Sequence, residues 1–237
     1  MNNFWDERLI PGYYDKLLKA GLSKNKGLQS NWHHTTFSKV SKLIVHKNKH
    51  LDYACGPGTF VGNYLNVNSV GVDISKKQIE FAKLKYSKNN DFYHTDHFNF
   101  RKYKNSFDTV SIIGLLEYLE DDEILKLMEK IYFMLSDGGS VFITTPNYKG
   151  LMRFLDWIVN KYSKVDYESQ NINKFDYRRI RRIMNNTKFK TIEVKKIINF
   201  GVFAGFINIT ISQQIQNIIS FITKDKIGYL LLVILKK

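Results

Sequence analysis

Two closely spaced glycines after a short apolar segment are well suited to bind a ligand. The segment Leu51–Phe60 reads LDYACGPGTF, in which the acidic Asp52 precedes Gly56 and Gly58. Glycine lets a ligand approach the backbone closely and adopts backbone angles that other residues avoid. A strand-to-helix turn also uses glycines for purely structural reasons, so the position of the turn in the fold decides more than the motif does.

A second acidic residue, Asp73, ends a short apolar run roughly 20 residues after the glycine turn. At the end of a second strand, its carboxylate can accept hydrogen bonds from both hydroxyls of a ribose, which indicates a nucleotide-containing ligand. A dinucleotide fingerprint would place a third glycine where the chain has Val61, and Pro57 stiffens the turn. A Walker-type phosphate loop is excluded because no Gly-Lys-Ser/Thr sequence follows the turn.

The pattern around these residues predicts a doubly wound α/β sheet, because short apolar runs alternate with helical periodicity from about residue 50 onward. The predicted strands are His50–Ala54, Ser69–Asp73, Phe92–Thr95, Phe107–Ile113 and Ser140–Thr145. Helices are predicted over Ser75–Tyr86 and Asp121–Leu135. Beyond Pro146 we expect a helix containing Trp157, a basic helix at Tyr177–Met184, a strand at Phe189–Ile198 and a last strand within Gly228–Leu235.

Composition places the chain among globular proteins of a reducing compartment. Its 237 residues are 43% hydrophobic and 24% charged, which excludes a disordered, collagen-like or coiled-coil chain. The single Cys55 cannot form an internal disulfide or a zinc cluster. Met1–Arg8 lacks the apolar run of a signal peptide, and the uncharged stretch Ile197–Thr223 contains too many Asn and Gln residues to span a membrane. We therefore expect a cytoplasmic protein.

The net charge is +14, from 36 Lys and Arg residues against 22 Asp and Glu residues. Such an excess is typical of proteins that bind nucleic acid or an anionic membrane. It is equally compatible with charges scattered over a solvated surface, which is our first expectation.

The glycine turn resembles that of the class I S-adenosylmethionine-dependent methyltransferases. In that family a DxGxGxG motif binds the amino-acid end of the cofactor, and Asp52, Ala54, Gly56 and Gly58 occupy its positions, with Cys55 inside the turn. The resemblance implies S-adenosyl-L-methionine as the cofactor.

Further residues in the family's order extend this resemblance over residues 48–147. It implies that Asp73 binds the ribose, that Ile74 forms a wall against the adenine, and that Asp96 and His97 flank the adenine amino group. Ile113, at the end of the fourth predicted strand, is also expected in the cofactor site.

The resemblance also implies the architecture of the whole chain. FDTVSIIGLLEYLED and LSDGGSVFITTPN resemble the family's fourth strand with its substrate-facing loop, and the turn and fifth strand of its small-molecule branch. The implied fold is a doubly wound, mainly parallel seven-stranded sheet with an antiparallel terminal strand. We expect an N-terminal helical cap over residues 1–47 and a cofactor-binding domain over 48–237, with a helical acceptor or lid insertion at about 148–223.

Methyl transfer needs in-line approach of a nucleophile and exclusion of water, and a hydroxyl acceptor is helped by a general base. The candidate catalytic residues are His33 and His34 in the N-terminal segment, and Glu117 and Tyr118 after the fourth strand, with Asn147 as a polar orienter. A structural or surface role stays open for each of them.

Several acceptor classes can be separated by chemistry. After the fourth strand the chain reads GLLE instead of the signature of DNA amino-methylating enzymes. Cytosine C5 methylation would need a cysteine nucleophile, whereas the single cysteine, Cys55, lies in the cofactor turn. We therefore do not expect a DNA methyltransferase. An RNA methyltransferase stays an alternative because Arg178, Arg179, Arg181 and Arg182 cluster on one predicted helix. A non-catalytic partner protein of the same fold is the other alternative.

An isoleucine stripe favours a small or lipid-linked acceptor. The stripe consists of Ile207, Ile211, Ile215, Ile218 and Ile222, opposite a Gln/Asn face. Such a helix packs in the core, covers the acceptor pocket or lies on a membrane surface, and core packing is our first expectation. The neighbouring Lys224, Lys226, Lys236 and Lys237 would suit anionic headgroups. We therefore expect O-methylation of a small-molecule, glycan or lipid-linked acceptor, with peripheral membrane contact as an option and with the oligomeric state open.

Overall fold

The computed structural model describes residues 4–44, 49–149 and 172–237, with only the backbone of Phe4 and Arg8. Three helices come first, namely α1 (Phe4–Arg8), α2 (Tyr13–Ser23) and α3 (Leu28–Ser41). They are followed by β1 (Lys49–Tyr53), α4 (Thr59–Tyr64), β2 (Asn68–Asp73), α5 (Lys76–Tyr86), β3 (Asn90–His94), β4 (Phe107–Ile113), α6 (Asp121–Met134) and β5 (Leu135–Pro146). The last described elements are α7 (Tyr177–Asn185), β6 (Thr191–Ile197), α8 (Ile209–Thr223) and β7 (Leu230–Lys236). The predicted helix containing Trp157 lies outside the described residues.

The seven described strands form one sheet in the order β3-β2-β1-β4-β5-β7-β6. The pairs from β3 to β5 are parallel, whereas β7 runs antiparallel to both β5 and β6. The prediction of a doubly wound, mainly parallel seven-stranded sheet with an antiparallel terminal strand is confirmed. Because the chain winds outward in opposite directions from β1 and β4, a crevice opens between the carboxyl ends of these two strands, where such sheets bind ligands.

Both faces of the sheet are covered, as expected for a mainly parallel sheet. Along β7, Leu231, Val233 and Leu235 pack with residues of α6 and α7, whereas Leu230, Leu232 and Ile234 pack with residues of α2 and α3. This alternation follows from the two-residue period of a strand. It explains why the final apolar run of the sequence is continuous.

Helix α1 lies across the carboxyl end of β2. The Ser75 side chain caps α5 by accepting a hydrogen bond from the Gln78 N–H at 3.3 Å. The same hydroxyl donates to Asp6 Oδ1 at 2.5 Å, and Lys77 Nζ donates to the Asp6 carbonyl at 2.7 Å. These bonds bring α1 to the edge of the sheet where the predicted cofactor residues lie.

The expectation that the isoleucine stripe of α8 packs in the core is wrong. The exposed members are Ile207, Ile211, Ile218 and Ile222. The buried side of α8 carries Ser212 and Gln216 instead. The physical reason is that Asn31 and Thr35 of α3 offer hydrogen bonds to these polar side chains, at 2.7 and 3.3 Å. Among the described residues, no helix combines the length and the apolar character needed to cross a bilayer.

Candidate cofactor and acceptor site

The turn after β1 contains three residues with positive φ. Ala54, Gly56 and Gly58 have φ values of 66°, 52° and 71°. A Cβ atom at Gly56 would meet no atom within 4 Å, whereas one at Gly58 would lie 2.9 Å from the Phe92 ring. Gly56 therefore leaves open space beside the turn, and Gly58 is required for packing the turn against β3.

Asp73, the last residue of β2, holds this turn through both of its carboxylate oxygens. Oδ2 accepts a hydrogen bond from the Gly56 N–H and Oδ1 accepts one from the Ser75 N–H, each at 2.8 Å. Burial raises the pKa of Asp73, although these two backbone bonds oppose the rise. Because each carboxylate oxygen can accept a second bond, Asp73 can still bind two hydroxyl groups of a ligand.

Asp52 is buried in β1 and belongs to a short polar network. Its Oδ1 accepts a hydrogen bond from Ser111 Oγ at 2.5 Å, and that hydroxyl contacts His50 Nε2 at 2.9 Å. Burial raises the pKa of Asp52 to about 7, with a further contribution from the charge of Asp73. Burial lowers the pKa of His50 to about 3, so this imidazole is neutral. A cation bound beside Asp52 and Asp73 would keep both carboxylates ionised.

Two neighbouring cavities open at this edge of the sheet. The first cavity, of about 280 Å³, is lined by residues of the glycine turn, of α3 and of the end of β5. The second cavity, of about 460 Å³, is lined by Asp73, Ile74 and Thr95, which follow β2 and β3, and by one side of α6. Residues common to both linings are Trp5, Ala54, Asp73, Ile74, Leu115 and Tyr118. Trp5 and Tyr118 pack edge to face, with ring centroids 5.0 Å apart, and mark the place where the cavities adjoin.

The first cavity is acidic although the chain is basic. Its described lining contains Asp52, Asp73 and Glu117 and no lysine or arginine. Carboxylates in a partly desolvated space attract a cation more strongly than they do in water. The first cavity therefore suits a ligand with a positively charged group.

Thr59 adds a hydrogen-bonding group that the protein itself leaves unused. Its Oγ1 is buried without a hydrogen-bond partner among the described residues, and Thr59 lines the first cavity at the start of α4. A buried hydroxyl of this kind marks a position where a ligand atom can bind. The space at Gly56, the acceptor capacity of Asp73 and the Thr59 hydroxyl together fit a cofactor that carries an amino acid, a ribose and a positive charge.

Glu117, in the loop after β4, lines the first cavity. Its Oε2 accepts a hydrogen bond from Thr145 Oγ1 at 3.0 Å. Its backbone carbonyl accepts bonds from the N–H groups of Ile172 and Asn173, at 2.9 and 3.0 Å. Burial raises the pKa of Glu117 to about 7. This fixed carboxyl group therefore gains and loses its proton near neutral pH.

The two adjacent histidines of α3 have different surroundings. His33 lines the first cavity and packs edge to face on Tyr14, with ring centroids 5.3 Å apart. Burial lowers the pKa of His33 to about 4. His34 Nδ1 is hydrogen-bonded to the Tyr64 hydroxyl at 2.8 Å, and His34 is outside the described lining of both cavities. Only one of the two candidates reaches the cavity.

Asp96 and His97 lie in a short helical turn after β3, outside the described lining of both cavities. The Asp96 side chain is 75% exposed, and its Oδ2 lies 3.5 Å from Nδ1 of His94. Their neighbour Thr95 does line the second cavity. The adenine-binding role of Asp96 and His97 stays a prediction.

Three other predicted cofactor residues, Cys55, Ile74 and Ile113, line the first cavity.

Asn147, the predicted polar orienter, is outside the described linings of the cavities, and its Nδ2 donates a hydrogen bond to the Gly228 carbonyl at 2.8 Å. Its amide therefore supports the chain before β7.

Sequence reasoning missed the aromatic side of the first cavity, which includes Trp5, Trp32 and Phe37. These residues come from α1 and α3, before the glycine turn, and no motif connects them to it. Thr59 could have been identified, because a hydroxyl residue directly after Gly58 lies at the start of a predicted helix.

Comparison with protein-family models matches residues 14–194 to a methyltransferase domain. An S-adenosylmethionine-dependent methyltransferase structure from Thermotoga maritima has 13% identity and a TM-score of 0.60, covering 86% of this chain and 90% of that chain. One from Archaeoglobus fulgidus has 16% identity and a TM-score of 0.57, covering 85% and 94%. Phosphoethanolamine N-methyltransferase 2 from Haemonchus contortus, in complex with S-adenosyl-L-methionine, has 18% identity and a TM-score of 0.60, covering 99% of this chain and 59% of that chain. Comparison with curated proteins gives no match.

The low identities to the solved structures support the fold alone. The family match spans well over half of the chain and includes the glycine turn, Asp73 and Glu117. The chain therefore belongs to the S-adenosylmethionine-dependent methyltransferases, has their class I fold, and uses S-adenosyl-L-methionine as its cofactor.

Proposed function

We propose that this methyltransferase methylates an oxygen atom of a small-molecule, glycan or lipid-linked acceptor that binds in the first cavity beside Glu117. The observation that carries the proposal is the buried Glu117 carboxyl group, whose pKa of about 7 places it at neutrality. A general base is most effective when its pKa lies near the working pH. Glu117 is therefore suited to accept the proton of a hydroxyl acceptor.

We propose that the cofactor's amino-acid end lies against the glycine turn and Thr59, its ribose on Asp73, and its adenine against Ile74. When bound, this cofactor supplies an electrophilic methyl group on a positively charged sulfur. The acidic lining of the first cavity would attract that charge, and the open space at Gly56 would admit the chain that carries it. Asp52 would support the turn from β1.

Among the proposed catalytic residues, Glu117 is the better base and His33 the weaker one. The pKa of His33 is about 4, whereas that of Glu117 is about 7, so only Glu117 binds a proton appreciably at neutral pH. Thr145 orients the Glu117 carboxylate. Tyr118 is proposed to position the acceptor from the place where the two cavities adjoin, and His34 to support α3 through Tyr64.

Replacing Glu117 by glutamine tests this role through the pH dependence of activity. In the wild type we expect methyl transfer to rise with pH and to level off above about 7, because the ionised carboxylate is the active form. We expect Glu117→Gln to lower the rate by about 10²-fold and to abolish this rise. Glu129→Gln, the same exchange at an exposed position of α6, is the matched control. A wild-type pH profile in Glu117→Gln would exclude Glu117 as the base.

The same substitution has a predictable effect on stability. The pKa of Glu117 rises from 4.5 to about 7 on folding, so the folded state holds its proton more tightly and wild-type stability falls as pH rises through this range. Glutamine cannot ionise and avoids this loss. The stability of Glu117→Gln relative to wild type should therefore improve by up to about 3 kcal/mol between pH 4 and pH 8, measured by denaturant unfolding.

The RNA alternative receives less support from the arginine helix α7. Arg179 Nη2 is paired with Asp121 Oδ1 at 3.1 Å and Arg181 Nη1 donates to the Tyr177 hydroxyl at 2.8 Å. The described linings of both cavities contain none of the α7 arginines. Copurification of RNA at moderate salt, with labelled methyl transfer into it, would favour this alternative. Turnover of labelled cofactor with hydroxylated small molecules, glycans or lipid-linked glycans would favour the proposed function, and binding without any turnover would favour a non-catalytic partner.

The division of the chain into a cap and a cofactor domain stays a proposal. It is supported by α1, α2 and α3, which precede β1 and contribute Trp5, Tyr14, Trp32 and His33 to the first cavity. The described part of residues 148–223 contains β6 as well as helices, so the proposed insertion is not purely helical. A cytoplasmic location also stays a prediction.

A further inference from the structure

We propose that α8, together with Phe206 and Ile207 shortly before it, docks this methyltransferase on an anionic lipid bilayer, and that the acceptor is therefore lipid-linked. The docking face is defined by Phe206, Ile207, Ile211, Ile218, Phe221 and Ile222. The choice of acceptor rests on the proposed function, whereas the docking itself does not. Each of these two parts can be measured separately.

The isoleucine and phenylalanine side chains of the docking face are strongly exposed, although residues of these two types are usually buried. Ile207, Phe221 and Ile222 are 82%, 86% and 71% exposed, and the other three members are 49–61% exposed. From Ile207 onward, successive members are four, seven, three and one residues apart, which at about 100° per residue keeps them within roughly 100° on one side of the helix. Gln214 and Asn217 lie on the same side and are uncharged. A helix on a water-exposed surface normally shows the opposite arrangement, with its polar side outward.

Hydrogen bonds fix α8 in this orientation. Asn31 Nδ2 donates to Ser212 Oγ at 2.7 Å, and Gln213 Nε2 donates to Thr35 Oγ1 at 2.6 Å. Ser212 Oγ in turn donates to the Gly201 carbonyl at 2.7 Å. Turning the isoleucines inward would break these bonds and bury polar groups without partners. The outward apolar face is therefore a fixed feature of the fold.

Lysines flank both ends of this face. The exposed Lys24 and Lys26 stand on either side of Asn25, whose carbonyl accepts a bond from the first residue of α8 at 2.8 Å. The exposed Lys224 and Lys226 follow its last residue. Asp225 is the acidic group between them, and its Oδ1 lies 3.8 Å from Lys39 Nζ. An apolar helix face bordered by lysines is the arrangement that binds in the plane of an anionic membrane.

The lysines favour a bilayer over a second copy of the chain. A two-fold interface would pair this patch with itself and bring lysines of the two copies together. Anionic headgroups would neutralise the same charges, and each lysine near such a surface strengthens binding by roughly fivefold. A bilayer also accommodates apolar side chains without a shaped partner surface.

The position of the docking face relative to the first cavity points to the acceptor. Helix α3 presents Asn31 and Thr35 to α8, and Trp32, His33 and Thr36 to the first cavity. Docking face and cavity are therefore separated by two helices, α8 and α3, or about 20 Å. A methyl acceptor held in the membrane by a lipid chain could reach Glu117 over this distance.

Vesicle binding of the full chain tests the docking. We expect the wild type to sediment with vesicles containing phosphatidylglycerol and not with pure phosphatidylcholine vesicles. Replacing Ile218 and Phe221 together by serine should weaken this binding by at least about tenfold. The matched control is Leu84→Ser, because Leu84 of α5 is 90% exposed. Thermal unfolding and calorimetric binding of the cofactor should be unchanged in all variants.

Charge reversal tests the lysines. Lys224→Glu with Lys226→Glu should weaken vesicle binding by at least about fivefold, whereas Lys102→Glu with Lys104→Glu should not. Absence of wild-type binding to anionic vesicles, or wild-type binding by the serine variant, would overturn the docking. So would a wild-type dimer in light scattering that the serine variant abolishes. Vesicle binding without methyl transfer to any lipid-linked acceptor would leave the docking intact and refute the lipid-linked acceptor.

Discussion

The open space at Gly56 allows a sharp test of the cofactor site, because Gly138 has the same local properties. The two glycines have φ values of 52° and 75°, and a Cβ atom on either would meet no atom within 4 Å. Gly138 and Thr144 both lie in β5, and Thr144 lines the first cavity. Gly138 precedes Thr144 by a distance on the order of 15–20 Å along the strand, so it lies away from this cavity. A valine at either position imposes similar backbone strain, but only at Gly56 does its side chain enter the first cavity.

The expected magnitudes separate strain from loss of the site. The left-handed conformation costs an L residue about 1–2 kcal/mol, so both variants should unfold about 2–8 °C below the wild type. A ligand present at about 100 times its Kd stabilises the folded state by about 2.7 kcal/mol. We expect Gly138→Val to retain this gain with S-adenosylhomocysteine and Gly56→Val to lose nearly all of it.

Thermal unfolding with and without S-adenosylhomocysteine measures both effects on the same samples. Circular dichroism at low temperature checks that both variants are folded. Full ligand stabilisation of Gly56→Val would refute the placement of the cofactor at this turn. Loss of stabilisation in both variants would also refute it, because backbone strain would then explain the loss.

Two further substitutions test the polar contacts proposed for the cofactor. Asp73→Asn should weaken cofactor binding by about 1.5–3 kcal/mol in calorimetry, because a charged acceptor of ribose hydroxyls is lost, whereas Asp91→Asn at an exposed position of β3 should not. Asp73→Asn should also unfold at a lower temperature, since an amide has one acceptor oxygen for the two N–H groups that Asp73 binds in the wild type. Unchanged affinity of Asp73→Asn for the cofactor would exclude the ribose contact. Thr59→Val should keep or raise the stability of the ligand-free protein by up to about 1 kcal/mol, because a buried hydroxyl without a partner is removed, and should weaken cofactor binding by about 1 kcal/mol. Lower stability with unchanged affinity would show that the hydroxyl serves the fold alone.

The part of the fold built from local patterns could be predicted from sequence. Alternating apolar runs and helical periodicity identified the strands within one or two residues, except that β5 begins five residues before its predicted start. The glycine turn and Asp73 were expected at one edge of the sheet. They do meet there, joined by the bond between Asp73 and the Gly56 N–H. These features depend on short-range spacing, which a sequence displays directly.

Features that depend on distant partners could not be predicted. The isoleucine stripe of α8 was identified correctly as one face of a helix, but its periodicity does not state which face is buried. That choice depends on Asn31 and Thr35, about 180 residues earlier in the chain. Likewise, His33 and His34 are indistinguishable in the sequence, and only the direction in which α3 packs brings His33 to the cavity.

A crystal structure of the chain with S-adenosylhomocysteine tests most directly the claim that cofactor and acceptor share the cleft between the glycine turn and Glu117. We predict that the homocysteine part will contact Gly56 and Thr59, that the ribose hydroxyls will donate to Asp73, and that the sulfur will face the side of the first cavity that contains Glu117. A ligand bound elsewhere on the protein, or one whose ribose does not contact Asp73, would contradict the proposed site.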